Sequence, residues 1–370
     1  TRLVSDWSSD VCSSDLDFDS LRERIRLLDL ELVARVAERV ELARQMGELK
    51  GLQNLPTVDY AQETTVLSRA RSAAQEHGLD PRVAEDLFAG LIAASVSAQE
   101  EDSLRVAAVG AGKTAVVVGG AGRMGRWMRR FLAAQGYTTR SLDTFDEPKE
   151  VALARECLHS AELIVCSTPP VATAKLYSEW SQKPPTGFVV DIASIKTPLI
   201  KPIRALQEAG GSVASIHPMF GPSTFLLRNA DVVICDTGDA EAVLTVERLF
   251  QPTTARIVRL PLADHDRIMA DLLSLAHATA IAFALALPES EHPVRSTTFQ
   301  ALRSLSAAVL RESPDVYYEI QAGNPDSLEA VERLRVALDR IVGAVRERDS
   351  AGFRRLFEEG QERAPVSPNP

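Results

Sequence analysis

Between Phe18 and about Asp102, apolar residues recur at three- and four-residue steps, as in Leu21, Ile25, Leu28, Leu32, Val36, Val40 and Ala43. That spacing lines one face of an α-helix. With no strong breaker before Gly51, it predicts a first helix on the order of 45–50 Å long. A turn at Asn54-Leu55-Pro56 precedes a second predicted helix over about 58–77, which Gly78 ends. Asp80-Pro81 sets a capping residue before proline at the first helical position and starts a third helix to about 101. Residues 103–113 (SLRVAAVGAGK) read as a small-residue connector. Beyond them, TAVVVGG, YTTRSLD, ELIVCST, GFVVDIAS, SVASIHP and DVVICDT alternate with helical stretches. This alternation predicts a parallel sheet flanked by helices. From about Thr253 the pattern is helical again, and DRIMADLLSLAHATAIAFALAL is apolar on most faces, as in a helix buried in a core or at a subunit interface.

The expected fold class is therefore multidomain, α and α/β. A three-helix all-α domain spans 18–102, a linker 103–113, a Rossmann-type dinucleotide-binding domain 114–252 and an all-α C-terminal domain 253–363. Residues 1–17 repeat Ser-Ser-Asp with neither helical nor strand period and lack the basic start and apolar stretch of a secretory signal. They and the Pro-rich segment 364–370 are expected to be tails. The 370 residues are 45% hydrophobic and 25% charged, a globular profile of two or three domains. No apolar run reaches the ~18–20 residues that a bilayer requires, so no membrane partner is expected. With 41 Lys plus Arg against 51 Asp plus Glu, the net charge of -10 excludes long-range attraction to nucleic acid. An anionic ligand must then be held by local cations. Cys12, Cys157, Cys166 and Cys235 lie far apart without CxxC or His at ligand spacing, so neither a disulfide framework nor a metal site is indicated. Three of them sit in apolar surroundings, as thiols of a cytoplasmic protein do.

Gly120-x-Gly122-x-x-Gly125 follows the strand AVVV directly and opens a helix, which is the context a dinucleotide loop requires. Its glycines permit a tight turn and close approach of a pyrophosphate to the helix N-terminus. Asp143 ends the next strand 18 residues after Gly125, where a carboxylate can accept from ribose hydroxyls and repel an extra phosphate. NAD is the expected cofactor, with Arg123, Met124, Thr168 and Pro169 as further candidate contacts.

Leu21-Arg22-x-x-Ile25, Asp29, Arg39, Gly47-x-x-Lys50, Pro56, Asp59, Glu63, Ser95 and Gln99 together resemble the all-helical chorismate mutase family. Residues 115–363 resemble prephenate dehydrogenase through the glycine loop, Asp191-Ile192-Ala193-Ser194-Ile195-Lys196 and above all His217-Pro218-Met219-Phe220-Gly221-Pro222. The combination resembles the bifunctional fusion of tyrosine biosynthesis, with chorismate and prephenate as substrates, a homodimer as assembly and the C-terminal helices for dimerisation. In the mutase the resemblance implies that Arg22 and Arg39 hold the two substrate carboxylates, that Lys50 and Gln99 donate to the breaking ether oxygen, and that Glu63, one turn from Asp59, accepts from the ring hydroxyl. Ser95 would touch a carboxylate. Arg39 and Lys50, 11 residues apart, share a face within about 20° and ~16 Å of axis. Arg22 lies 28 residues from Lys50, some 42 Å along a straight helix, so it must serve another subunit and the dimer must be intertwined.

In the dehydrogenase the resemblance implies that His217 accepts the hydroxyl proton, with Ser194 orienting the substrate or His217 and Lys196 assisting charge balance. His265 and His277 fall on one helix 12 residues apart; His277 resembles a pocket residue, whereas His265 reads equally as structural. Two positions depart from the families: Gln62 stands where the mutases usually carry Arg, and Ala308 where a substrate-binding Arg is expected, with Arg311 one turn on. The loss of a cation at position 62 opens a second reading, the same two reactions on 4-amino-4-deoxy substrates, whose C4 ammonium an Arg would repel. A third reading is a regulatory binder without turnover.

Overall fold

The computed structural model describes residues 18–364 apart from 54, 56–57, 225–226, 289–293 and 295. The expected tail 1–17 with Cys12, the C-terminal tail beyond Ala364, and Asn54 and Pro56 of the expected turn lie outside the described residues. The chain forms two compact units, one of residues 18–107 with 227–228 and 252–254, the other of residues 108–224, 229–251 and 255–364.

The first unit is built on α1 (Phe18–Leu52), α2 (Tyr60–Glu76) and α3 (Pro81–Ala107). Asp59 caps α2, its carboxylate accepting from the Gln62 amide at 3.0 Å. α3 runs past its expected end into the expected linker: Ser103 Oγ donates to Gln99 O at 2.9 Å, Leu104 is buried, and Ala108, at φ 40°, stops the helix. α1 and α3 approach closely at Gly47, where a Cβ would stand 2.8 Å from Gln99 Cγ. Towards its start α1 is different: Leu21, Ile25, Leu28 and Leu32 are 41–59% exposed, an apolar stripe that this unit leaves uncovered.

The second unit alternates β1 (Thr114–Val118), α4 (Arg123–Ala134), β2 (Thr138–Leu142), α5 (Pro148–Cys157), β3 (Leu163–Cys166), α6 (Pro170–Trp180), β4 (Phe188–Asp191), α7 (Ile200–Glu208), β5 (Ser212–Pro218), β6 (Asp231–Asp236), α8 (Ala240–Phe250) and β7 (Arg256–Pro261). The helices α9 (His265–Met269), α10 (Ala276–Leu285), α11 (Thr297–Leu310), α12 (Pro314–Gly323), α13 (Ser327–Arg346) and α14 (Ser350–Arg363) follow. One seven-stranded sheet runs in the order β2-β1-β3-β4-β5-β6-β7. Its central strands are covered on both faces, as parallel strands flanked by helices must be, and Val116, Ile164, Val189 and Val213 are fully buried.

Three expectations are corrected. β6 runs antiparallel to β5, so the sheet is mixed. Residues 256–261, expected in the helical domain, form an edge strand; Arg256 and Arg259 break its apolar pattern and pair with Asp231 and Glu247, charges of the kind that protect a sheet edge. The run His265–Leu285 is long and apolar enough to cross a membrane by length and composition, which the sequence reading had denied. In this fold its polar residues His265, Asp266 and Ser274 are buried and hydrogen-bonded within the unit.

Lys196, a candidate for substrate contact as well as charge balance, is corrected in the first respect. It is fully buried, its ammonium donating to Asp191 Oδ1 at 2.7 Å and to Ile216 O at 2.8 Å, so it braces the ends of β4 and β5 and is not among the residues that line the cavity at the strand ends. Breaking such a pair leaves an uncompensated charge. Asp191→Ala is expected to lower unfolding free energy by about 3–5 kcal/mol, measured by chemical denaturation.

Candidate functional site

Gly119, at φ 79°, directly follows β1 and begins the turn that leads to α4. Gly125 admits no side chain, because a Cβ there would stand 2.1 Å from Gly119 O. Asp143, at the end of β2, accepts from the Ala121 amide at 3.1 Å and from the Phe145 amide at 3.2 Å, which aims its carboxylate over the loop. This cradle fits a dinucleotide: the α4 N-terminus for the pyrophosphate and Asp143 for ribose hydroxyls.

A cavity of about 750 Å³ opens from this loop along the carboxyl ends of the strands. Gly122, Arg123, Met124, Thr168 and Pro169 line the loop side, Ser194 and His217 the sheet, and His277, Ala308 and Tyr317 the helices. His277 meets the Tyr317 ring edge to face, centroids 4.4 Å apart. Ala308, where an anchoring Arg is expected, lines the cavity and supplies no charge, and the candidate Arg311 is exposed and does not line it. Arg123 is the one Lys or Arg among the described lining residues, and it pairs with Glu312. Glu319 also lines the cavity; burial first, then Asp315, raises its pKa.

His217 heads a buried polar chain. Its Nδ1 lies 3.0 Å from His265 Nε2, and His265 Nδ1 lies 2.7 Å from Asp266 Oδ1. Asp266 is held by the amides of Lys196 and Thr197, each at 2.7 Å. Burial opposes its charge, but hydrogen bonds from His265, Thr197 and Lys196 outweigh that and bring its pKa down to about 2. An ionised carboxylate only accepts, so His265 Nδ1 carries the proton and His265 Nε2 offers a lone pair. His217 Nδ1 must then donate, leaving its own Nε2 as an unprotonated acceptor. Burial, then His265 and Lys196, lowers the His217 pKa well below its ordinary value and keeps the ring neutral. Asp266 carried no motif of its own in the sequence, and the part played by His265 depends on a partner 48 residues away.

In the helical unit, residues of α1 and α3 interlock at successive turns. Arg39 Nη1 donates to Ser95 Oγ at 2.5 Å and to Leu91 O at 2.8 Å, and Gln99 Nε2 donates to Ala43 O at 2.7 Å. Ser95 and Gln99 are buried. An amide nitrogen has two protons, so Gln99 keeps one to donate. Lys50 lies in the last turn of the same α1. Arg22 is not brought to this group; it pairs with Asp19 on the exposed part of α1. Asp59 serves as the α2 cap. Glu63 pairs at 2.5 Å with Arg228, a residue the sequence reading did not single out.

Gly125→Ala should weaken dinucleotide binding by roughly tenfold or more, a loss of at least ~1.4 kcal/mol, measured by calorimetric titration; unchanged affinity would contradict the cradle.

Residues 21–100 match the family model for chorismate mutase type II, and residues 137–259 match that for the prephenate dehydrogenase nucleotide-binding domain. The chain is 27% identical over 349 residues to the T-protein of Enterobacter agglomerans, covering 91% of this chain and 90% of that one. It is 29% identical over 264 residues to the 4-amino-4-deoxyprephenate dehydrogenase of Streptomyces pristinaespiralis, covering 66% and 88%. In fold it is similar to the prephenate dehydrogenase of A. aeolicus solved with hydroxyphenyl propionate and NAD+, with a TM-score of 0.53 at 17% identity, covering 69% of this chain and 98% of that one. The chain thus joins a chorismate mutase domain to an NAD-binding prephenate dehydrogenase domain of tyrosine biosynthesis, and it is similar over about 90% of its length to the T-proteins.

Proposed function

We propose that the chain rearranges chorismate to prephenate in its helical unit and oxidatively decarboxylates prephenate to 4-hydroxyphenylpyruvate in the other, as a cytoplasmic homodimer. The observation that carries this reading is the buried chain from His217 through His265 to Asp266, which leaves a neutral acceptor at the cavity.

The rearrangement needs no nucleophile and no base, so positioning and electrostatics do the work. Arg39 holds one substrate carboxylate beside Ser95. Lys50 and the free amide proton of Gln99 meet the charge that grows on the ether oxygen, and Glu63 accepts from the ring hydroxyl. Arg22, too far along α1 to join them, serves the site of a second copy. The exposed stripe of Leu21, Ile25, Leu28 and Leu32 supports that intertwined pairing, and exposed Val345 and Phe357 on α13 and α14 support a second dimer contact.

In the dehydrogenase, NAD bound on the glycine loop supplies the hydride acceptor. His217 Nε2 takes the ring hydroxyl proton. The bond to the ring carboxylate breaks, its electron pair completes the aromatic ring, and carbon dioxide leaves. The proton then returns to the phenolate oxygen. Ser194 and His277, which both line the cavity, position the ring. Buried Cys166 and Cys235 fit a reducing compartment; burial pushes the Cys235 thiol up to about 11, so it stays protonated and inert.

Supplied with chorismate and NAD, the chain should consume the first and produce NADH. His217→Asn is expected to stop NADH formation while prephenate accumulates. Lys50→Ala is expected to stop chorismate consumption while added prephenate is still oxidised. Loss of both activities from either variant with the fold intact contradicts the assignment. Because the His217 pKa is lowered, its neutral form persists as pH falls through 6.5. The acid limb of kcat/KM for prephenate should therefore lie below pH 6.5, and a limb above that value contradicts the neutral acceptor.

A further inference from the structure

Glu63 is a carboxylate on the face where, by the reading above, a dianion binds. Left alone it would repel that substrate. The structure gives it a partner from 165 residues further along the chain: Arg228 Nη2 donates to Glu63 Oε2 at 2.5 Å, with both side chains less than a fifth exposed. The same guanidinium carbon lies 5.6 Å from the centre of the Tyr60 ring, one turn before Glu63 on α2. Arg228 Nε is buried and has no hydrogen-bond partner among the described residues, so the group still has a donor to give.

The segment carrying Arg228 is itself fastened to α3. Glu100, beside Gln99 and only 3% exposed, accepts from the Leu227 amide at 3.1 Å, from the Thr254 amide at 2.6 Å and from Thr254 Oγ1 at 2.9 Å. Three donors on one buried carboxylate fix the two short segments 227–228 and 252–254 against the helix that carries Ser95 and Gln99. Arg228 is thus held from two sides, by its backbone neighbour on α3 and by its head group on α2. Gln62, next to Glu63 in the chain, is uncharged, and Arg228 is a cation that faces Glu63.

We propose that Arg228 is a positioning residue of the mutase: it neutralises Glu63 and fixes the carboxylate where it accepts the ring hydroxyl. This rests on the mutase reading above. It also bears on the second substrate series, since a guanidinium beside Glu63 disfavours an ammonium at C4 even where residue 62 is uncharged.

The test compares Arg228→Gln, Arg228→Lys, Glu63→Gln and the double variant Arg228→Gln/Glu63→Gln in the full chain, with chorismate consumption and oxidation of added prephenate assayed separately. Arg228→Gln should lower mutase kcat/KM by about 10- to 100-fold, the size of one charge-assisted hydrogen bond, while prephenate oxidation stays within about twofold. Arg228→Lys should recover most of the loss. The double variant should be no worse than Glu63→Gln, because the two residues act as a unit. An unchanged mutase in Arg228→Gln, additive losses in the double variant, or equal loss of both activities would each overturn the proposal. If the unaltered chain does not consume chorismate, the mutase reading fails instead, and the proposal falls with it.

Discussion

The dehydrogenase site depends on one buried carboxylate. Asp266 is charged because the backbone amides of Lys196 and Thr197 and the ring of His265 all point at it. Without that charge, nothing would decide which nitrogen of His265 carries its proton, and hence which nitrogen of His217 is left as an acceptor at the cavity it lines. The direction of each hydrogen bond follows from the one before it, and the last member is the acceptor at the cavity. The ion pair of Lys196 with Asp191 sits beneath this chain and sets the backbone from which the two amides project. The charge of Asp266 on α9 thus fixes the protonation of a ring near the carboxyl end of β5.

The two units arrange their charged groups differently. In the helical unit, cations and amides lie close together: Arg39 reaches across to α3, Gln99 reaches back to α1, and Arg228 arrives to balance Glu63. In the other unit the cavity is poor in cations, with Arg123 tied to Glu312 and alanine at 308. In a chain of net charge -10, an anionic ligand of either unit would depend on a few local groups.

Much of this was legible from local pattern. α1, α2, the glycine loop and β1 through β5 follow from periods and punctuation that neighbouring residues carry by themselves. What the sequence concealed depends on distant partners or on edges. The direction of β6 is set by the path of the chain after Pro218, which no strand period encodes. β7 hides because an edge strand bears arginines where a central one bears valines. Lys196 reads as a loop cation until Asp191 and Ile216 are seen closing over it. His265 reads as structural until its ring is found between His217 and Asp266. Arg228 lies in a stretch without a motif and gains its meaning only beside Glu63.

The tautomers of the two histidines test the account most directly. Nitrogen-15 NMR of the histidine-labelled chain near pH 7 should show His217 and His265 both neutral, each with its proton on Nδ1 and a free lone pair on Nε2. A proton on Nε2 of His217, or a positively charged His265, would contradict it, because the chain from Asp266 could then deliver no acceptor to the cavity.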